Sequence, residues 1–213
     1  MIPAIILAAG KSTRMGRSKA LLPLGRTRPD SHDRPDDAGN PDNPGMIDGP
    51  DTFLTRIVRT LHEAGVDEIF VVLGHNADAI ADRLRWSGLP AHIVLNPDYE
   101  SGQLSSFLAG LRAAARQDVE AMLVTLVDIP LVSATTVRAV VDRYRSRRAL
   151  VVRPVRGADH GHPVLVDRAL FSLIEQANPA EGVKPIIRAH VSQDGDVEVD
   201  DADSFLDVDT PEE

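Results

Sequence analysis

The 213-residue chain contains no cysteine. That excludes a disulfide framework and any thiolate metal site, and it fits a reducing, cytoplasmic setting. Aromatic residues are only 4% of the sequence, and no run of lysines or arginines interleaves with them. Nothing therefore points to nucleic acid as a partner. Apolar stretches stop at strand length, so no membrane span is expected. The N-terminus shows no basic segment followed by an apolar run and a cleavage site, so no export signal is read there.

What is present has the balance of a globular protein, with 43% hydrophobic and 26% charged residues. The length suits one α/β domain over 1–213 and is short for two. The net charge of −9 is uneven. Acidic residues crowd into Asp194–Glu213, which lacks Lys and Arg, and into Thr27–Pro50. The remainder is mildly basic, which is compatible with an anionic ligand.

Strand-like and helix-like segments alternate, which predicts a three-layer α/β/α, Rossmann-like sandwich around a mostly parallel sheet. Ile5, Ile6 and Leu7 form the first apolar run. Asp51 or Thr52 is placed to cap a helix whose Phe53, Leu54, Ile57, Val58 and Leu61 share one face, with Gly65 as its stop. Further strands are expected at Ile69–Leu73, Ile93–Leu95, Ala121–Val127, Leu150–Val155 and Pro163–Val166. Helices are expected over 77–86, after Gly102, and over 135–147. Ala121–Val127 is the most apolar strand and is predicted to sit centrally. Thr27–Pro50 breaks the pattern with five prolines and six aspartates. It reads as an inserted surface loop.

The richest segment runs Leu7-Ala8-Ala9-Gly10-Lys11-Ser12-Thr13-Arg14-Met15-Gly16-Arg17-Ser18-Lys19. A buried strand enters a turn of small residues, where the backbone can approach a ligand and offer successive N–H groups to anionic oxygens. Arg14 and Lys19 add fixed positive charge. Neither the Walker spacing nor the dinucleotide glycine pattern is present. The same residues also suit a tight turn with solvated charges. Asp128 closes the central strand, where α/β sheets bind ligands and where a carboxylate can hold Mg²⁺. A turn-forming Asp ahead of Pro130 is the alternative. Gly102 and the serines after it offer donors at a helix start or serve as ordinary caps. His160 and His162 are too closely spaced to make a metal site by themselves.

The Leu7–Lys19 segment resembles the L-A-[AG]-G-x-S-x-R-M-G-x-x-K signature of the molybdenum cofactor nucleotidyltransferases, the cytidylyltransferases among them. These belong to the MobA-like NTP transferases, within the glycosyltransferase-A-like nucleotidyltransferase group. The likeness continues through Asn96–Ser106, Val127-Asp128-Ile129-Pro130, Gly161-His162-Pro163-Val164 and Asp207-Val208-Asp209-Thr210-Pro211-Glu212. Thr27–Pro50 is the departure from the family pattern.

The resemblance implies a Mg²⁺-dependent nucleotidyltransferase. Arg14, Lys19 and Asp128 would be catalytic. Leu7, Ala8, Ala9, Gly10, Ser12, Asn96, Gly102 and Ser105 would join them in holding the nucleotide. Ser106, Gly161, His162 and Lys184 would hold the acceptor. Asp128 and Asp209 would hold the metal, with Asp207 the competitor of Asp209. The implied partners are a nucleoside triphosphate and a molybdopterin-type phosphate, with a molybdoenzyme as recipient of the product. Ala9 resembles the cytidylyl branch, so CTP is expected ahead of GTP. The rival readings are a sugar- or polyol-phosphate nucleotidyltransferase and a non-catalytic cofactor carrier. An oxidoreductase, known among relatives, finds no nicotinamide or flavin fingerprint in this sequence.

Overall fold

The computed structural model describes residues 1–11, 18–24 and 51–208. The expectations for Ser12, Arg14, Asp209 and the Thr27–Pro50 insertion lie outside the described residues. Strands β1 (Ala4–Ala8), β2 (Ile69–Leu73), β3 (His92–Leu95) and β4 (Ala121–Leu126) alternate with helices α1 (Phe53–Glu63), α2 (Ala77–Trp86) and α3 (Gln103–Ala114). Then come α4 (Ala134–Arg147), β5 (Val151–Arg156), β6 (Asp159–His160), β7 (Val164–Asp167), α5 (Phe171–Glu175), α6 (Lys184–His190) and β8 (Asp196–Glu198).

The sheet order is β3-β2-β1-β4-β7-β5-β6, with β8 pairing β5. β1 to β4 are mutually parallel, as are β5 and β8. β7 runs antiparallel to both β4 and β5. The sheet is thus mostly parallel, and β1 and β4 occupy its middle, where both faces are covered.

Alternation along each strand divides the core in two. Ile6, Val71 and Leu123 pack with α1, α2 and α4, whereas Ile5, Val72 and Val124 pack with α3 and α5. This is the period of two expected of a strand. α3 lies so close to the sheet that a Cβ on Gly110 would come within 2.6 Å of Ile5 Cγ2. Truncating fully buried Ile5 to Ala would cost about 2–5 kcal/mol.

Helix ends follow local chemistry. Thr52, not Asp51, caps α1: Thr55 N–H donates to Thr52 Oγ1 at 3.3 Å, and Thr52 N–H donates to Thr55 Oγ1 at 2.8 Å. Such reciprocal caps contribute about 1 kcal/mol. Asp51 instead pairs with Arg59 at 2.9 Å. Gly65 ends the helix region at φ 87°, a conformation glycine adopts freely. Ser133 caps α4 by accepting from Thr136 N–H.

Candidate nucleotide and acceptor site

The chain winds from β1 outward through β2 to β3 and returns to add β4 on the other side of β1. The loops after β1 and β4 therefore part from each other, and ligands bind in such crevices. Two adjoining chambers open there. Both are walled by Leu7, Gln103 and Leu126.

The first chamber is lined by Ala8, Ala9 and Gly10 after β1, and by Val127 and Asp128 after β4. Ser18, Lys19, Ala20, Tyr99, Gly102 and Ser106 complete it. Backbone bonds fix its floor: Val127 N–H donates to Leu7 O at 3.2 Å, and His75 N–H to Ala9 O at 3.1 Å. A Cβ at Gly10 would meet no atom within 4 Å, so this residue borders open space. Lys19 opens a short 3-10 turn and is 8% exposed. Its Nζ lies 3.8 Å from Asp128 Oδ2, so a cation and a carboxylate face each other in one enclosure. Next to Gly10 and Tyr99, Lys11 and Glu100 form an ion pair. The hydrogen bond and charge of Lys11 pull the Glu100 carboxyl below its usual range.

Asn96 is buried at the end of β3, and its Nδ2 donates to Ser105 Oγ at 2.9 Å and Ser106 Oγ at 3.0 Å. Ser106 faces the first chamber, although the sequence assigned it to the acceptor. Asn96 and Ser105 are absent from the lining. They brace the start of α3 from behind.

The second chamber has an apolar floor of Phe107, Val124, Val164 and Val166. Gly161, His162 and Lys184 border it, together with Arg153, His160, Val183, Ile187 and Arg188. His162 Nδ1 lies 3.3 Å from Val124 O. Burial pushes the imidazole pKa down, against the opposing pull of the Val124 carbonyl and Asp207. The ring is therefore neutral near pH 7.

A segment after β8 ties the two chambers together. Asp201 accepts from Ser133 N–H at 3.0 Å, Thr136 Oγ1 at 2.7 Å and Ser204 Oγ at 2.8 Å. Burial opposes ionisation there, and these donors nonetheless hold the carboxyl below its usual range. Ser204 O then accepts from His162 N–H at 3.1 Å, and Val208 N–H donates to Asp128 O at 2.9 Å.

The sequence reading missed Tyr99, Gln103, Arg153 and Arg188. Two signals were available. Arg153 is a lone cation within the apolar run Val151-Val152-Arg153-Pro154-Val155, and Arg188 stands one helical turn beyond Lys184.

A divalent ion needs hard oxygen ligands, and Mg²⁺ commonly takes one or two carboxylates with the rest from water and phosphate. Asp128 fits that requirement. No group of three His, Cys, Asp or Glu gathers among the described residues, so the rest of the shell around Asp128 would come from outside that set.

Residues 4–194 match the MobA-like NTP transferase domain. The nicotine blue oxidoreductase of Paenarthrobacter nicotinovorans is 30% identical, over 100% of this chain and 94% of its own length. The molybdenum cofactor cytidylyltransferase of Escherichia coli K12 is 26% identical, over 100% of this chain and 93% of its own. The crystal structure of Rv0371c from Mycobacterium tuberculosis superposes with a TM-score of 0.72 at 23% identity, covering 100% of this chain and 95% of that one. The chain belongs to the MobA-like NTP transferase family and is a nucleotidyltransferase.

Proposed function

We propose that the protein transfers CMP from CTP to the phosphate of the molybdenum-pterin cofactor and releases pyrophosphate. The observation that carries this reading is the pair of adjoining chambers, one small-walled and charged, the other apolar with a cationic rim. The first suits a triphosphate. The second suits a flat heteroaromatic body. A sugar or polyol would leave its hydroxyls facing valines and a phenylalanine, at a cost for each unpaired group. That disfavours the sugar-phosphate alternative. Full-length likeness to a molybdenum cofactor cytidylyltransferase supports the same choice.

In this reading the backbone of Ala8, Ala9 and Gly10 holds the nucleotide, and Gly102 and Ser106 face it from the start of α3. An acceptor phosphate oxygen attacks the α-phosphorus in line, and the bond to the β-phosphate oxygen breaks. No protein nucleophile is required, because a phosphate monoester is already an anion. Lys19 and Arg14 stabilise the departing pyrophosphate. Asp128 and Asp209 would hold Mg²⁺, whose charge screens the two phosphate groups from each other. His162 and Lys184 hold the acceptor, with the neutral imidazole fixed by Val124. Orientation and electrostatics supply the rate enhancement.

The test is pyrophosphate release from CTP and Mg²⁺, with and without the molybdenum-pterin cofactor. Release that depends on the pterin, with a nucleotide-pterin product, is the expected result. The 30% identity to nicotine blue oxidoreductase supplies the rival reading. Reduction of a conjugated dye by a nicotinamide cofactor, without pyrophosphate release, would favour that rival.

A further inference from the structure

The second chamber is rimmed by positive charge in a chain whose net charge is −9. Its lining includes Arg153, Lys184 and Arg188, and no aspartate or glutamate. Arg153 is engaged from behind, its Nε donating to Asp196 Oδ1 at 2.9 Å. Lys184 and Arg188 make no ion pair or side-chain hydrogen bond with any described residue. They stand four residues apart on α6, so their side chains share one face of the helix. The apolar residues between and beside them seat that helix. Ile186 and Ile187 pack against the core cluster that holds Phe107 and Val124.

The position of this pair along the sheet is informative. The apolar floor begins at Leu126, beside the nucleotide chamber, and extends to Val166, which pairs with Met122. At about 3.3 Å per residue it runs ~13 Å away from the reaction centre. Lys184 lines the chamber together with His162, whose Nδ1 lies 3.3 Å from Val124 O part-way along that floor. The cations thus flank the body of a bound acceptor rather than the oxygen that attacks. A solvated surface pair would need no cavity beside it. Here, two cations with no ion-pair partner among the described residues edge an apolar chamber.

Building on the transferase reading, we propose that Lys184 and Arg188 form a cationic clamp. It would grip an anionic substituent of a flat, largely apolar acceptor, at a point remote from the attacking phosphate. The acceptor must then carry a second negative group, and the clamp selects for it. The contribution is to acceptor affinity, so CTP affinity and the chemical step are unaffected once the acceptor saturates.

Two fluorescent pterins that differ in charge at one substituent test this directly. Titration of the full chain with 6-carboxypterin, an anion, and neutral 6-hydroxymethylpterin measures the preference for charge. The native protein is expected to bind the carboxylate about tenfold more tightly, the range of one charge-assisted contact. Arg188→Ala should remove most of that preference while leaving 6-hydroxymethylpterin and CTP affinities unchanged, whereas Lys184→Ala should weaken binding of both pterins and lower the preference. Arg188→Lys should retain part of it. Equal affinity of the native protein for the two pterins, non-binding of both included, would overturn the clamp. So would a preference that survives Arg188→Ala. Failure of the transferase reading shows itself separately, as no pyrophosphate release by the native enzyme whatever the pterin titrations give.

Discussion

The backbone N–H of Val208 donates to the carbonyl oxygen of Asp128 at 2.9 Å. Residues eighty positions apart in sequence are thus adjacent in space, and the segment leading to Asp209 starts beside the proposed metal ligand. Asp128→Asn and Asp209→Asn are each expected to lower kcat by about a hundredfold or more, equivalent to ~3 kcal/mol of lost transition-state stabilisation. The melting temperature should barely change, because neither substitution opens a cavity. Pyrophosphate-release kinetics beside thermal unfolding check both halves. Near-native turnover in either variant would refute that residue as a ligand.

Base choice should depend on Ala9, which is 4% exposed and lines the nucleotide chamber. In the proposed reading its methyl group would narrow the space that a larger purine needs. The native enzyme is expected to favour CTP over GTP in kcat/KM, and Ala9→Gly should shrink that ratio by about tenfold, within the range a single methyl group commands. Competition between the two triphosphates measures it. An unchanged ratio would remove Ala9 from base selection.

Much of this was legible in the sequence, and the reasons are local. β2 and α2 fall on the residues their apolar spacing indicated, Ile69–Leu73 and Ala77–Trp86. Their patterns are strong because both elements bury a complete face. The antiparallel course of β7 between β4 and β5 was not legible. An apolar run such as Val164–Val166 has the same composition in either direction. β8 escaped because Asp196-Val197-Glu198 commits a single residue to the core, and α6 because it has no fully buried residue. At the site, residues in the signature loop could be named, whereas Arg153 and Arg188 owe their places to packing between distant elements.

His162 offers a test that separates ligand from stability. His162→Ala should weaken acceptor binding and leave CTP affinity intact, as isothermal titration of each ligand would show. Its pKa is lowered by burial, so the unfolded chain, titrating near the ordinary imidazole value of about 6.5, takes up a proton first as pH falls. Stability is therefore fully present above that value, declines as pH drops below it, and levels off once the lower folded-state pKa is passed. His162→Gln should flatten that acid-side decline in urea melts between pH 7 and pH 5. An unchanged slope would assign the decline to other groups.

Gly161→Ala should disturb the junction between the acceptor loop and the segment after β8. A Cβ at this position would lie 2.3 Å from Ser204 O, the carbonyl that accepts from His162 N–H. The backbone must shift, at a cost of about 1–3 kcal/mol. A fall of several degrees in melting temperature is expected, together with a raised acceptor KM. Native values of both would show that the junction yields freely.

The ends of the insertion are already joined by the fold. Leu24 N–H donates to Asp51 O at 2.7 Å, Phe53 N–H donates to Leu22 O at 3.0 Å, and Pro23 bridges Thr52 antiparallel. Replacing Thr27–Pro50 with a short Gly/Ser linker is therefore expected to leave folding and chemistry intact, since a shorter loop is entropically mild. A marked drop in melting temperature would show that the segment packs. Lost turnover at native stability would show that it covers the site.

The strap from Asp201 to Val208 has a consequence for how the protein is made. Translation delivers β1, Lys19 and Asp128 long before the residues that latch onto Ser133, His162 and Asp128. A growing chain can lay down its sheet and bury its two apolar clusters while the acceptor loop still lacks the carbonyl that anchors it. Competence to react would thus wait on the strap rather than on the sheet, and a protease that clips this strap could silence the site in an otherwise folded molecule.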